Sequence, residues 1–171
     1  MSKKKIAFIG TGGTIASIGV GPLDTVNYGA NGQMMQADAI LEKFPEVQLV
    51  ADVVAVPYRN VPSPQIAWTE WQQLVLLCDK VVAEDPAIAG IVIGHGTASL
   101  EETAFFLSLT AKVAVPIVVV GSQRPASALS TDRNSRMTWP SPSCSPVRAT
   151  QRTPSRAARS AGSSGRSRWT A

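Results

Sequence analysis

The hydrophobic positions of this chain fall into two kinds of run. Lys5–Ile9, Ala89–Ile93 and Pro116–Val120 are short and almost continuously apolar, as expected of strands buried on both faces in a parallel sheet. Val47–Val56 alternates while staying largely apolar and predicts a further strand. Thr69–Glu84 instead repeats Trp71, Leu74, Val75, Cys78, Val81 and Val82 at helical spacing, which gathers them into one stripe on a helix. Thr69 with Gln72 reads as its capping box, and Ser99 with Glu102 as the box opening a second helix over Ser99–Lys112. Ala37–Phe44 predicts a shorter helix stopped by Pro45. Gly19–Gly32, rich in Gly, Asn and Pro, predicts an exposed, mobile loop.

Strands that alternate with helices imply an α/β fold built on a parallel sheet. In such sheets ligands bind beyond the carboxyl ends of the strands. The loops after Ile9, Ile93 and Val120 all fall on that edge. Two of them are glycine/threonine loops, within IAFIGTGGTIAS at Ile6–Ser17 and GIVIGHGTASLEET at Gly90–Thr103. Such loops bring backbone N–H groups and a hydroxyl close to a small ligand, so Thr14 and Thr97 are the candidate reactive hydroxyls. The topology is expected to bring them together with Gly121–Arg124.

Composition changes this picture in one place. The chain has 171 residues, 44% of them hydrophobic, enough for one domain with a real core. No apolar run approaches the roughly 18–20 residues that span a bilayer. Lys3–Lys5 before the first strand is not expected to act as a secretory signal, because glycines break the apolar run and no small-residue cleavage site follows; a cytoplasmic location is expected. Cys78 reads as a core thiol, and two cysteines make neither a disulfide framework nor a metal site. The net charge of +4 hides a division. Met1–Asp132 carries 12 acidic against 8 basic residues, net −4, whereas Arg133–Ala171 has 8 Arg and no Lys, Asp or Glu, net +8. That second segment is Arg-, Ser- and Pro-rich without apolar periodicity and is expected to be disordered. Its arginines would attract phosphates, but no aromatic interleaving or motif points to specific nucleic-acid binding.

TGGTIAS at Thr11–Ser17, HGTASLEETAFFL at His95–Leu107 and GSQRPASALSTD at Gly121–Asp132 together resemble the bacterial-type L-asparaginase/glutaminase family. The three motifs occur in the family order over about Lys4–Asp132. The resemblance implies a partial N-terminal α/β domain over residues 4–132, with an incomplete three-layer Rossmann/flavodoxin-like sheet, followed by the unrelated tail 133–171. It implies hydrolysis of the side-chain amide of asparagine, often of glutamine too, without metal or organic cofactor. Homo-oligomers, dimers assembling into tetramers, are the family habit, each site being completed by a neighbour. Position by position, Thr14 matches the primary nucleophile and Tyr28 the tyrosine that assists it. Ser63 matches a ligand of the substrate carboxylate, and Thr97 the second threonine, which positions or activates water. Gly13 and Gly96 are the candidate substrate-binding positions of the two loops, whose N–H groups suit an oxyanion.

Two departures stand against the family pattern. Where the family places an aspartate that holds the substrate α-ammonium, this chain has Ala98. Nothing after Asp132 resembles the strand that carries the family's catalytic lysine. The abrupt change in composition there looks like a shifted reading frame, so the chain is expected to be truncated and weakly active or inactive. Other readings compete residue by residue. Thr14 can cap a turn, Thr97 can cap the following helix, and Pro62-Ser63-Pro64 is also a plain turn. His95, the single histidine, is expected to hydrogen-bond at a strand end rather than to catalyse, and Arg124, Trp68 and Trp71 to be structural. A nucleotide-binding Rossmann module is disfavoured, because Ile15 replaces the third glycine and no acid ends the second strand. An amidase for another small amide and a non-catalytic fragment remain the alternatives.

Overall fold

A computed structural model describes residues 2–129 and the strand Cys144–Val147. Four parallel strands, β1 (Lys5–Gly10), β2 (Asp52–Val56), β3 (Ile88–Gly94) and β4 (Ile117–Val120), lie in the order β2-β1-β3-β4. The register aligns Ile9 with Val56 and with Ile93, and Ile93 with Val119, so the strands end level at one edge. A fifth strand, β5 (Cys144–Val147), runs antiparallel to β4 at the sheet's far edge. The sequence predicts no regular structure after Asp132, and these four residues are an exception to it. Pro146 has no N–H to give a further strand, which an edge position tolerates. The rest of the expected disordered tail lies outside the described residues.

The continuous apolar runs make both sheet faces sticky, and helices cover both. Ala7, Ile9, Ile91, Ile93, Ile117 and Val119 pack against α3 (Trp68–Glu84) and α4 (Leu100–Thr110) through Leu74, Cys78, Val81, Leu100, Ala104 and Leu107. On the other face Phe8, with half-buried Val53, Val92 and Val120, packs against α1 (Ala37–Lys43) through Ala37, Ile40 and the following Phe44. The result is the expected three-layer α/β arrangement. Cys78 is a core thiol whose burial pushes its pKa up to about 12, so it is inert.

Three local expectations are corrected. Val47–Val56 is not one strand. Val47–Val50 forms a helical turn, α2, leaving Leu49 and Val50 exposed, and only Asp52–Val56 is extended. The cause is Gln48, whose side-chain amide donates to the Val53 carbonyl (2.7 Å) and accepts from the Val53 N–H (3.0 Å). It thus occupies part of the free edge of β2. The capping box of α3 does not use Thr69 and Gln72. The helix starts earlier, at Trp68, and Glu70 Oε2 accepts from the N–H of Ala67. Ser99 precedes α4 but makes no cap bond; its hydroxyl is turned to the carbonyl of Ser63 instead (2.7 Å).

Candidate active site

β1 and β3 are sheet neighbours whose outgoing connections cross to opposite faces: the chain leaves β1 for α1 and leaves β3 for α4. Their loops therefore diverge from a common crevice, the place where open α/β sheets bind ligands. Thr11 closes the floor of this crevice, its N–H and hydroxyl both donating to the Gly94 carbonyl (2.9 and 3.0 Å).

Backbone shape then decides what stands there. Gly12 and Gly13 both have positive φ, +97° and +76°, which side chains resist. Space forbids side chains as well: a Cβ on Gly13 would lie 2.2 Å from the Gly96 Cα, and one on Gly12 would lie 2.6 Å from backbone atoms of Val61. The two glycine loops thus touch backbone to backbone. A Cβ on Gly96 would meet the Ser63 hydroxyl at 2.6 Å, so Ser63, itself buried, forms the third side of the same contact. On the far side Gly121 packs against the Thr97 methyl, and the Ala126 N–H donates to the Ser17 carbonyl (3.0 Å). The three loops expected at the strand ends do meet.

Thr14 is half-buried immediately beyond this contact, in a turn closed by the Ala16 and Ser17 N–H groups and by the Ser17 hydroxyl on the Gly13 carbonyl. Its hydroxyl lies 3.0 Å from the hydroxyl of Tyr28. Tyr28 gets there because the chain, after an exposed excursion, returns alongside the Thr14 turn: Ile18 bonds to Gln33 and Met35 to Ala16. Asn60, from the loop after β2, donates to the Met35 carbonyl (2.7 Å) and holds this return in place. Within the excursion Asp24 accepts from the Val20 and Asn27 N–H groups. Desolvation acts to raise the Asp24 pKa, but the N–H groups of Val20, Asn27, Val26 and Tyr28 outweigh it and hold the carboxyl below its ordinary value. Asp24 is an organiser of the Tyr28 loop that the sequence motifs did not single out.

Tyr28, Thr14, Gly13, Gly96, Ser63 and Thr97 are thus neighbours at one crevice. Together they offer hydroxyls and backbone N–H groups. His95 is fully buried and bonds at the end of β3, as expected, with its ring held between the Gly96 carbonyl and the Thr103 hydroxyl. Trp71 stacks on Phe106 and donates its indole N–H to Thr103, so packing is only part of its role. Ser99, expected as a helix cap, and Thr103, which no sequence signal singles out, are shown only by long-range contacts to be anchors of the crevice. Among the described residues no group of three or more His, Cys, Asp or Glu is placed to hold a metal ion, and no helix is long and apolar enough to cross a membrane.

Residues 5–137 match the family model for the asparaginase N-terminal domain. The "Glutaminase-asparaginase" of Acinetobacter glutaminasificans is 37% identical over 130 residues, covering 76% of this chain and 38% of that protein. The "L-asparaginase 2" of Bacillus subtilis (strain 168) is 37% identical over 132 residues, covering 77% and 34%. The crystal structure of the "Probable Cytoplasmic L-asparaginase" from Campylobacter jejuni superimposes with a TM-score of 0.67 at 37% identity, covering 77% and 38%. The chain therefore spans a little over a third of the length of these relatives.

Proposed function

The chain belongs to the asparaginase family through its N-terminal domain, and from that premise we propose that residues 4–132 carry the threonine half of an amidohydrolase site for the side-chain amide of L-asparagine. The observation that carries this is the Thr14–Tyr28 hydroxyl pair, 3.0 Å apart, beside the Gly13–Gly96 contact. A threonine hydroxyl is a weak nucleophile until a partner takes its proton. Tyr28 is that partner. The Thr14 oxygen bonds to the amide carbon, and loop N–H groups near Gly13 and Gly96 receive the oxyanion. The C–N bond then breaks with proton return to nitrogen, releasing ammonia and leaving an ester on Thr14. Water, positioned by Thr97, hydrolyses that ester to aspartate and restores the hydroxyl. Ser63 receives the substrate carboxylate. No cofactor is assigned a step.

Residues 133–171 are proposed to be a frame-shifted tail, so that the chain alone is weakly active or inactive. Assembly into dimers or tetramers belongs to this proposal too. The relative from Campylobacter jejuni is described as cytoplasmic, which supports the cytoplasmic location expected from the sequence. The test is ammonia release from asparagine and glutamine by the 171-residue chain, by a version continued in the alternative frame after Asp132, and by Thr14→Ala in both. Turnover in the continued version, lost by at least about 10³-fold in its folded Thr14→Ala variant, is expected. Equal turnover by that variant overturns the nucleophile assignment. Absence of an asparaginase-like continuation in either other frame overturns the frame shift.

A second reading rests on Ala98, exposed beside Thr97. A methyl group cannot pair with an ammonium, which favours a small amide lacking the α-amino group. Succinamate, asparagine without that group, separates the two: the second reading requires a kcat/KM for succinamate at least equal to that for asparagine.

A further inference from the structure

A buried polar relay runs from two helices into the crevice. The Trp71 indole N–H on α3 donates to Thr103 Oγ1 on α4 (2.8 Å), Thr103 Oγ1 is 2.9 Å from His95 Nε2, and His95 Nδ1 is 2.8 Å from the Gly96 carbonyl oxygen. Thr103 and His95 are both fully buried. The chemistry of the end groups fixes every proton between them. A carbonyl oxygen only accepts, so His95 Nδ1 carries hydrogen; an indole N–H only donates, so Thr103 accepts from Trp71. The Thr103 hydroxyl proton then faces Nε2, which is bare in the neutral ring. All donors and acceptors are matched in that state alone. A charged ring would present N–H to Thr103 and strand the hydroxyl proton in a dry interior. Burial favours the neutral ring and outweighs the Gly96 carbonyl and the Glu102 carboxylate, which favour the charged one.

The relay ends on the peptide that joins Gly96 to Thr97. In a trans peptide the C=O and N–H point in opposite directions, so a Gly96 carbonyl drawn in to His95 sends the Thr97 N–H away from it. The same Gly96 backs onto Gly13 and the Ser63 hydroxyl, where a Cβ would find no room. Ser99 fixes the next turn by bonding the Ser63 carbonyl.

We infer that His95 is a positioning residue: as the Nδ1–H tautomer, oriented by Thr103 and Trp71, it sets the direction of the Gly96–Thr97 peptide and with it the aim of Thr97. The inference rests on the proposed site only for its consequence in catalysis, and its test needs no turnover. The chain has one histidine, so its imidazole gives a single set of signals in nitrogen-15 NMR. At neutral pH, Nδ1 is expected protonated and Nε2 bare, with no titration through about pH 6.5, where exposed histidines change charge. Thr103→Val keeps the shape and removes the hydroxyl; the Nε2 signal should move to that of a nitrogen without a hydrogen bond, and the Thr97 and Gly13 amide signals should shift. His95→Asn retains a donor for the Gly96 carbonyl and should recover most of the Thr97 shift that His95→Leu loses. An Nε2–H or charged ring at neutral pH overturns the inference. So do unmoved Thr97 and Gly13 amides in folded Thr103→Val, a variant that remains informative if His95→Leu fails to fold. Absence of amide hydrolysis in the version continued in the alternative frame would sink the proposed function and leave these signals as they are.

Discussion

Gly13 has no room for even a methyl group. Its φ of +76° already disfavours a side chain by about 1–2 kcal/mol, and the added atom would fall 2.2 Å from the Gly96 Cα. Gly13→Ala should therefore lower stability by more than that conformational cost and push the two loops apart. Gly21→Ala is the matched control, since nothing lies within 4 Å of its Cβ position and its φ is ordinary; its change should stay within about 0.5 kcal/mol. Urea unfolding of both variants checks the pair. The identities of Thr14, Thr97 and the glycines were legible in the sequence because they sit in local motifs on predictable strand ends. Thr103, Ser99 and Asp24 were not, because each acts through a partner fixed only by folding: a histidine eight residues back, a carbonyl 36 residues away, and a ring of loop amides.

At the scale of elements, periodicity identified the four parallel strands and both long helices, and failed where a side chain competed with the backbone. Val47–Val50 has strand-like residues, yet Gln48 takes the β2 edge that those residues would have extended. The helical stripe of α3 makes a direct prediction. Leu74 is fully buried and Leu76, two residues on, is 67% exposed. Leu74→Ala should cost about 2–5 kcal/mol, and Leu76→Ala no more than about 0.5 kcal/mol, as read by denaturant midpoints. The start of β1 is tied to the end of α3 by Lys5 and Asp85, 2.7 Å apart. Their hydrogen bond is the main cause of a raised Lys5 pKa and a lowered Asp85 pKa. A raised lysine contributes stability until pH climbs through its folded value, and a lowered aspartate contributes it until pH falls through its own. The contribution is therefore present across the neutral range and disappears at both extremes. Asp85→Asn should show a small stability deficit, flat through neutrality and closing in strong acid; a deficit that grows as pH falls contradicts the pairing.

Across the whole molecule, the sheet order places β1 and β3 inside and leaves β2 at an edge. Backbone amides bonded on the inside of a sheet open only with the whole domain. Hydrogen exchange should be slowest in Phe8–Gly10 and Ile91–Gly94 and faster in Asp52–Val56, and an inverted ranking would contradict this order. The central place of β1 has a further consequence for a chain made from its amino end. The first strand off the ribosome is the one that waits longest. Its two neighbours are β2 and β3, and its second edge stays unpaired until about ninety residues have emerged. Gly13 has nothing to rest on before Gly96 arrives. During synthesis the earliest of these strands, apolar along most of its length, is thus exposed to self-association, and the crevice comes into being in one late step.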